Sequence, residues 1–128
     1  MIEIEELKDR SETRIFKAVF PNTTNHYDTL FGGTALHLMD EASFICATRF
    51  SRKKVVTVST DKIDFSTPIP QGTIIELVAR VHKVGRTSCV VKVAIFMEDM
   101  YSYKRNKAVT GLFTFVAVGE DKKPIAIM

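Results

Sequence analysis

The apolar positions of this 128-residue chain change period twice, on entering and on leaving a stretch that runs from Thr34 to Phe50. Before it, Thr13 to Phe20 is rich in β-branched and aromatic residues and stops at the turn-forming Pro21-Asn22. That pattern predicts a strand, followed by a polar loop over Asn22 to Thr29. Thr34 to Phe50 lacks Gly and Pro, and at 100° per residue Leu36, Met39, Ala42, Ile45, Cys46, Ala47 and Phe50 fall in one broad arc. A largely buried helix is expected, with a narrow polar wedge of His37, Glu41 and Thr48. Asp40 falls at the border of the wedge, next in angle to Leu36 and Ala47, so a carboxylate stands where the helix passes from wet to dry.

After the basic turn Arg49 to Lys54, four runs have β composition: Val55 to Ser66, Thr73 to Val84, Thr87 to Glu98 and Lys107 to Val118. In the third, Cys89, Val91, Val93, Ile95 and Met97 share one parity while Ser88, Lys92 and Glu98 lie on the other, so one face of the sheet must be covered. In the first, the apolar parity switches from Val56 and Val58 to Ile63 and Phe65, which predicts a bulge near Ser59-Thr60-Asp61. The order is strand, helix, four strands. One helix for five strands points to an α+β domain in which a curved antiparallel sheet wraps a buried helix. Because that helix cannot shield the sheet edges, a homodimer through an edge strand and the helix is expected.

Composition narrows the class without naming a function. The length fits one domain over residues 1–128, and 45% apolar with 26% charged residues excludes general disorder. A net charge of +3, with basic residues spread along the chain, gives no case for nucleic acid but allows local cationic patches. Cys46 and Cys89 sit in apolar segments without metal-ligand spacing, so two reduced, buried thiols are expected. The acidic start, with Glu3, Glu5 and Glu6, is unlike a secretory leader, and no run has the length of a membrane span. These features predict a soluble cytoplasmic protein.

The chemistry gathers around the helix start. Gly32-Gly33 would let a ligand approach the first, unpartnered helical N–H groups, an arrangement suited to an oxyanion or phosphate; the same pair also serves as a plain tight turn. Asp40 follows Gly33 by two helical turns, roughly 10 Å of rise, close enough to face the same small substrate. It reads equally as a solvated helix acid. His26 and His37 fit loop and helix-surface positions, and Cys46 fits packing better than nucleophilic attack. The runs Arg49 to Lys54 and Lys83 to Ser88 are polar loops that could also bind phosphates, the second presenting a guanidinium beside two hydroxyls.

The stretch Asn25 to Ala42, NHYDTLFGGTALHLMDEA, resembles the acyl-CoA thioesterases of the hotdog fold, in the branch of bacterial short acyl-CoA hydrolases and brain-type enzymes. Val55 to Val58, Phe65 with Pro68, Gly85 to Ser88, and Phe115 to Val118 with Lys123-Pro124 are similar to later motifs of that family in the same order. The resemblance implies a long central helix wrapped by a five-stranded antiparallel sheet, a dimer with active sites at its interface, and a hexamer built as a trimer of dimers. It implies Asp40 as catalytic carboxylate, Asn25 orienting the thioester or attacking water, and the Gly33 N–H polarising the carbonyl. It also implies that CoA, as part of the substrate, lies near Gly85, Arg86, Thr87 and Ser88. Tyr27-Asp28 departs from the Asn-Gly or His-Gly frequent in relatives, which bears on the loop's shape. The expected reaction is hydrolysis to free fatty acid and CoA, without metal or separate cofactor. Competing readings are a non-catalytic acyl-CoA-binding module and a dehydratase or hydratase of thioester-bound acyl chains; the latter's His-Phe-Pro-Gly loop is absent.

Overall fold

The computed structural model describes residues 2–128 and places helix α1 at Ile4–Ser11, ahead of strand β1 at Thr13–Ala18. Helix α2 spans Gly32–Ser51, and β2 to β5 span Val55–Phe65, Thr73–Val84, Ser88–Asp99 and Arg105–Ala117. The sheet runs β1-β3-β4-β5-β2 with every pairing antiparallel. Helix α2 touches all five strands, which is the arrangement expected of a hotdog fold.

Helix α1 corrects the expected order. Its eight residues carry no long apolar stripe, and tertiary contacts hold it in place. Glu5 and Glu6 lie in its first turn and Lys8 and Arg10 in its last, complementing the helix dipole. Arg80 of β3 pairs with Asp9 at 2.7 Å, and Arg49 of α2 donates to the carbonyls of Arg10 and Glu12 at 2.8 and 3.0 Å. The α1 carbonyls that lack helical partners are thus capped from a neighbouring helix.

The parity of β4 holds: Cys89, Val91, Val93 and Ile95 are fully buried against α2 while Lys92 is exposed. The buried face of α2 comprises Ala35, Leu38, Met39, Ala42, Ser43, Cys46, Ala47 and Phe50. Leu36 and Ile45 of the expected arc are only half-buried. On the sheet's other face, buried Glu76 pairs with Arg14 at 3.3 Å and with Arg105, tying β1, β3 and β5 together. Among the described residues, no helix is long and apolar enough to cross a membrane.

The single bulge expected in β2 is two. The pairing with β5 slips between Thr57 and Ser59 and again between Asp61 and Asp64, either side of the expected triplet, and Lys62 takes φ +52°. The second slip turns Ile63 inward over Gly111. A Cβ at Gly111 would overlap the Ile63 side chain and come within 3.1 Å of Met39 Cε, so the glycine is what admits both. Gly111→Ala is expected to lower stability by about 1–3 kcal/mol in denaturant unfolding, as overpacking does.

Candidate active site

The loop before α2 is closed on itself and on its neighbour. Asn25 N–H donates to the Thr29 carbonyl at 2.8 Å, Leu30 N–H to Ile69 at 2.7 Å, and Phe31 N–H to Thr23 at 2.9 Å. Inside it, Asn25 Oδ1 accepts from Tyr27 N–H, Thr29 N–H and the Thr29 hydroxyl at 2.9, 3.2 and 3.1 Å. That Asx arrangement engages the oxygen and leaves the Asn25 amide NH₂ as the group turned to other partners. Asp28 takes φ +61°, the left-handed region that glycine occupies freely and that Asp tolerates better than bulky residues. The departure from the family pattern at Tyr27-Asp28 therefore keeps a tight turn.

Helix α2 begins two residues earlier than periodicity predicts, at Gly32, because glycine's poor helix propensity hides a start that the loop imposes. No side chain caps this end, so the first N–H groups, that of Gly33 among them, have no helical acceptor. A Cβ at Gly33 would come within 2.8 Å of the Phe31 ring, so the missing side chain lets that ring fold over the helix start.

Asp40 lies half-buried in mid-helix, and its Oδ1 accepts a hydrogen bond from Thr57 Oγ1 of β2 at 2.8 Å. One carboxylate oxygen is fixed and the other is left for a substrate or water. Sequence reasoning did not single out Thr57, since one hydroxyl on a strand carries no periodic signal. Among the described residues, no hydrogen bond joins Asp40 to Asn25 or Gly33 of the same chain. The expectation that Gly33 and Asp40 of one chain face the same small substrate is corrected at the reacting group: both stand on one continuous helix, two turns or about 10 Å apart, too far for a single thioester carbonyl to meet both.

Gly85, Arg86 and Thr87 form the turn between β3 and β4, and Ser88 opens β4. Gly85 N–H donates to the Ser88 carbonyl at 2.8 Å, and Ile127 N–H to that of Arg86 at 2.9 Å. The Arg86 side chain is exposed and has no acidic partner among the described residues. His26 and His37 are exposed, as expected, and neither forms an ion pair with a carboxylate. Among the described residues, no three His, Cys, Asp or Glu side chains gather as metal ligands.

Residues 27–103 match the model of the thioesterase superfamily. The chain belongs to that family. Over 123 residues it is 37% identical to an uncharacterized acyl-CoA thioester hydrolase of Zymomonas mobilis, covering 96% of this chain and 83% of that one. It is 35% identical to protein VdlD of Helicobacter pylori, covering 91% of this chain and 66% of that one. Among solved structures it superposes with TM-score 0.89 on an acyl-CoA hydrolase of Staphylococcus aureus in complex with butyryl-CoA, CoA and CoA disulfide, at 38% identity over 93% of this chain and 73% of that one. A hexameric acyl-CoA thioesterase superposes with TM-score 0.90 at 34% identity, over 93% of this chain and 76% of that one. The Staphylococcus aureus enzyme has also been solved with an asparagine, an aspartate and a threonine each changed to alanine, at positions spaced along that chain as Asn25, Asp40 and Thr57 are along this one.

Both thiols lie in the core, as expected from their apolar segments. Burial pushes both Cys46 and Cys89 up to about 11, and both are completely buried. A raised thiol pKa favours the folded state while the unfolded thiol stays protonated, so that contribution is lost as pH climbs from about 9 to about 11. A disulfide reagent at pH 8 is expected to titrate neither cysteine in the native protein and both in denaturant, and native stability is expected to fall across that alkaline window.

Proposed function

We propose that this chain hydrolyses acyl-CoA thioesters with Asp40 as general base or nucleophile, Thr57 and Asn25 as orienting groups, and the Gly33 N–H as oxyanion donor. The observation that carries the reading is the Asp40–Thr57 bond at 2.8 Å on the uncovered flank of α2. An acid on a helix surface turns freely, whereas this one has one oxygen tethered and the other aimed outward. The matching Asn, Asp and Thr spacing in the Staphylococcus aureus acyl-CoA hydrolase supports the same three roles.

The chemistry follows from where charge develops. Attack on the thioester carbon pushes negative charge onto the carbonyl oxygen, and an N–H at a helix start stabilises it through hydrogen bonding and the helix field. Asp40 removes a proton from the attacking water, or attacks directly and forms a mixed anhydride that water then opens. A thiolate leaves readily without strong protonation, so a site with no His partner suffices. CoA enters as part of the substrate, and no metal or separate cofactor is needed.

Because Gly33 and Asp40 of one chain stand too far apart for one carbonyl, the complete site needs a second copy. Strand β2 ends the sheet, and Val56, Val58 and Phe44 are 45%, 53% and 45% exposed beside it. Pairing this edge with that of another copy would cover these side chains and bring the Gly33 of one chain toward the Asp40 of the other. The hexameric relatives support assembly of such dimers in threes. Two unpaired, buried thiols support a reducing, cytoplasmic setting.

The test is thiol release from short, medium and long acyl-CoAs. Asp40→Asn is expected to lower kcat by at least about a hundredfold with oligomer and melting temperature retained; near-normal turnover would remove Asp40 from the mechanism. Arg86→Ala is expected to weaken CoA binding by roughly tenfold in calorimetry, the scale of one charge-assisted hydrogen bond. An unchanged Kd would count against a phosphate contact at the β3–β4 turn.

A further inference from the structure

Helix α2 keeps four residues exposed, Gly33, His37, Glu41 and Phe44, and at 100° per residue they fall within an arc of about 80°. His37 and Glu41 stand one turn apart on that flank, where side chains at i and i+4 are neighbours. Neither has an ion-pair partner among the described residues. Within one chain no three metal-ligating side chains gather among the described residues, so these two donors alone make no site. Symmetry doubles them. We propose that His37 and Glu41 of two copies together hold one zinc-like divalent ion on the two-fold axis of the dimer, an assignment that rests on the two-copy active site proposed above.

The position of the axis follows from that site. In a symmetric pair, Gly33 of each copy approaches Asp40 of the other, and a two-fold that joins the β2 edges into one antiparallel sheet also runs the two α2 helices antiparallel. Their closest approach then lies midway between residues 33 and 40, beside Leu36 and His37. Leu36 packs on the core, so the exposed His37 is the one left facing the axis. It stands within about 1 Å of the midpoint along the helix, whereas Asp40 lies about 5 Å from it. With packed helices roughly 8–10 Å apart and Cα atoms about 2.3 Å from each helix axis, two imidazoles start close enough to share an ion at Zn–N distances of about 2.0–2.1 Å. Glu41 begins about 7 Å from the midpoint, but helical side chains lean toward the N-terminus, which turns its carboxylate back toward His37.

Charge and ligand chemistry both favour a cation here. Each copy brings Asp40 and Glu41 to this flank, so four carboxylates surround two imidazoles. Residues 55–60 of β2, the strand that reaches Asp40 through Thr57, include no basic side chain to offset them. A dication does. Two imidazoles with two carboxylates form a four-coordinate nitrogen and oxygen set that suits zinc, whereas magnesium and calcium seek shells of oxygen. The ion would fasten the two copies at the wall between their active sites. Its part is structural, since the hydrolysis needs no metal. Because the donors come together only in the pair, binding stabilises the assembled, folded state by mass action.

The experiment titrates the metal-stripped full chain with zinc chloride at about pH 7.5, by calorimetry and thermal unfolding. About one zinc per two chains is expected, together with a rise in melting temperature that magnesium chloride does not reproduce. His37→Ala and Glu41→Gln, at exposed positions, are each expected to weaken zinc binding by at least about tenfold and to remove the rise. His82→Ala, at an exposed histidine of β3, is expected to keep both. One zinc per chain, unchanged zinc binding in His37→Ala, or an equal response to magnesium overturns the proposal. Asp40-dependent thiol release by a dimer that takes up no zinc overturns the metal site and leaves the hydrolase standing. One zinc per pair, lost in His37→Ala, in a protein that releases no thiol from acyl-CoA supports the metal site and defeats the hydrolase reading alone.

Discussion

Five strands from a chain this short can enclose a helix on every side but one, and the open side of α2 decides most of what the molecule does. The enclosed sides are aliphatic and tightly filled, with Met39, Ala42, Cys46 and Ala47 fully buried. The open flank carries Gly33, His37, Asp40, Phe44 and Thr48, a mixture that suits neither bulk water nor a dry core. Phe44 among polar neighbours makes sense only if something else covers it. Edge strand β2 poses the same question in its own terms, since its unpaired backbone lies beside exposed Val56 and Val58. One incomplete enclosure therefore generates both the pressure to associate and the place where a substrate can lie.

The rest of the site is built to hold a few polar groups still against that open flank. Asn25 spends its side-chain oxygen on its own loop, which fixes the direction of its NH₂. The loop in turn is pinned to the segment before β3 through Leu30 and Gln71. Thr57 reaches Asp40 from a different element, so the carboxylate's orientation depends on the packing of β2 against α2. Within β2 the pairing slips only beyond Thr57, and the second of its two slips turns Ile63 inward over Gly111.

What the sequence revealed tracks the length of the signal. Twelve-residue β3 emerges with the expected bounds, and β4 with the expected parity, because alternation sustained over many residues leaves one way to face a core. Helix α1 was illegible for the opposite reason: it is short and polar, and Arg49 and Arg80 hold it from far along the chain. The second bulge was hidden because apolar parity records only the net change of face, whereas cross-strand pairing records each slip. In the site, Gly33 and Asp40 could be placed by helical spacing and the family by its motif. Thr57 could not be assigned a role, because its meaning lies in a contact between elements.

The same distinction separates two kinds of basic residue that look alike in sequence. Arg49, Arg52, Lys53 and Lys54 form one cationic run, yet the fold uses Arg49 to cap a neighbouring helix and Lys53 to tether the C-terminal segment. Removing either would leave backbone carbonyls without partners, an energetic loss borne by the fold rather than by a ligand. Arg52 and Lys54 satisfy no such internal demand. Arg52 moreover sits at φ +57° at the end of α2, where Gly or Asn would be the easier choice. One cationic run in the sequence thus resolves, once folded, into two cations tied to backbone carbonyls and two that stand exposed, a division that depends on contacts between elements and leaves no trace in composition.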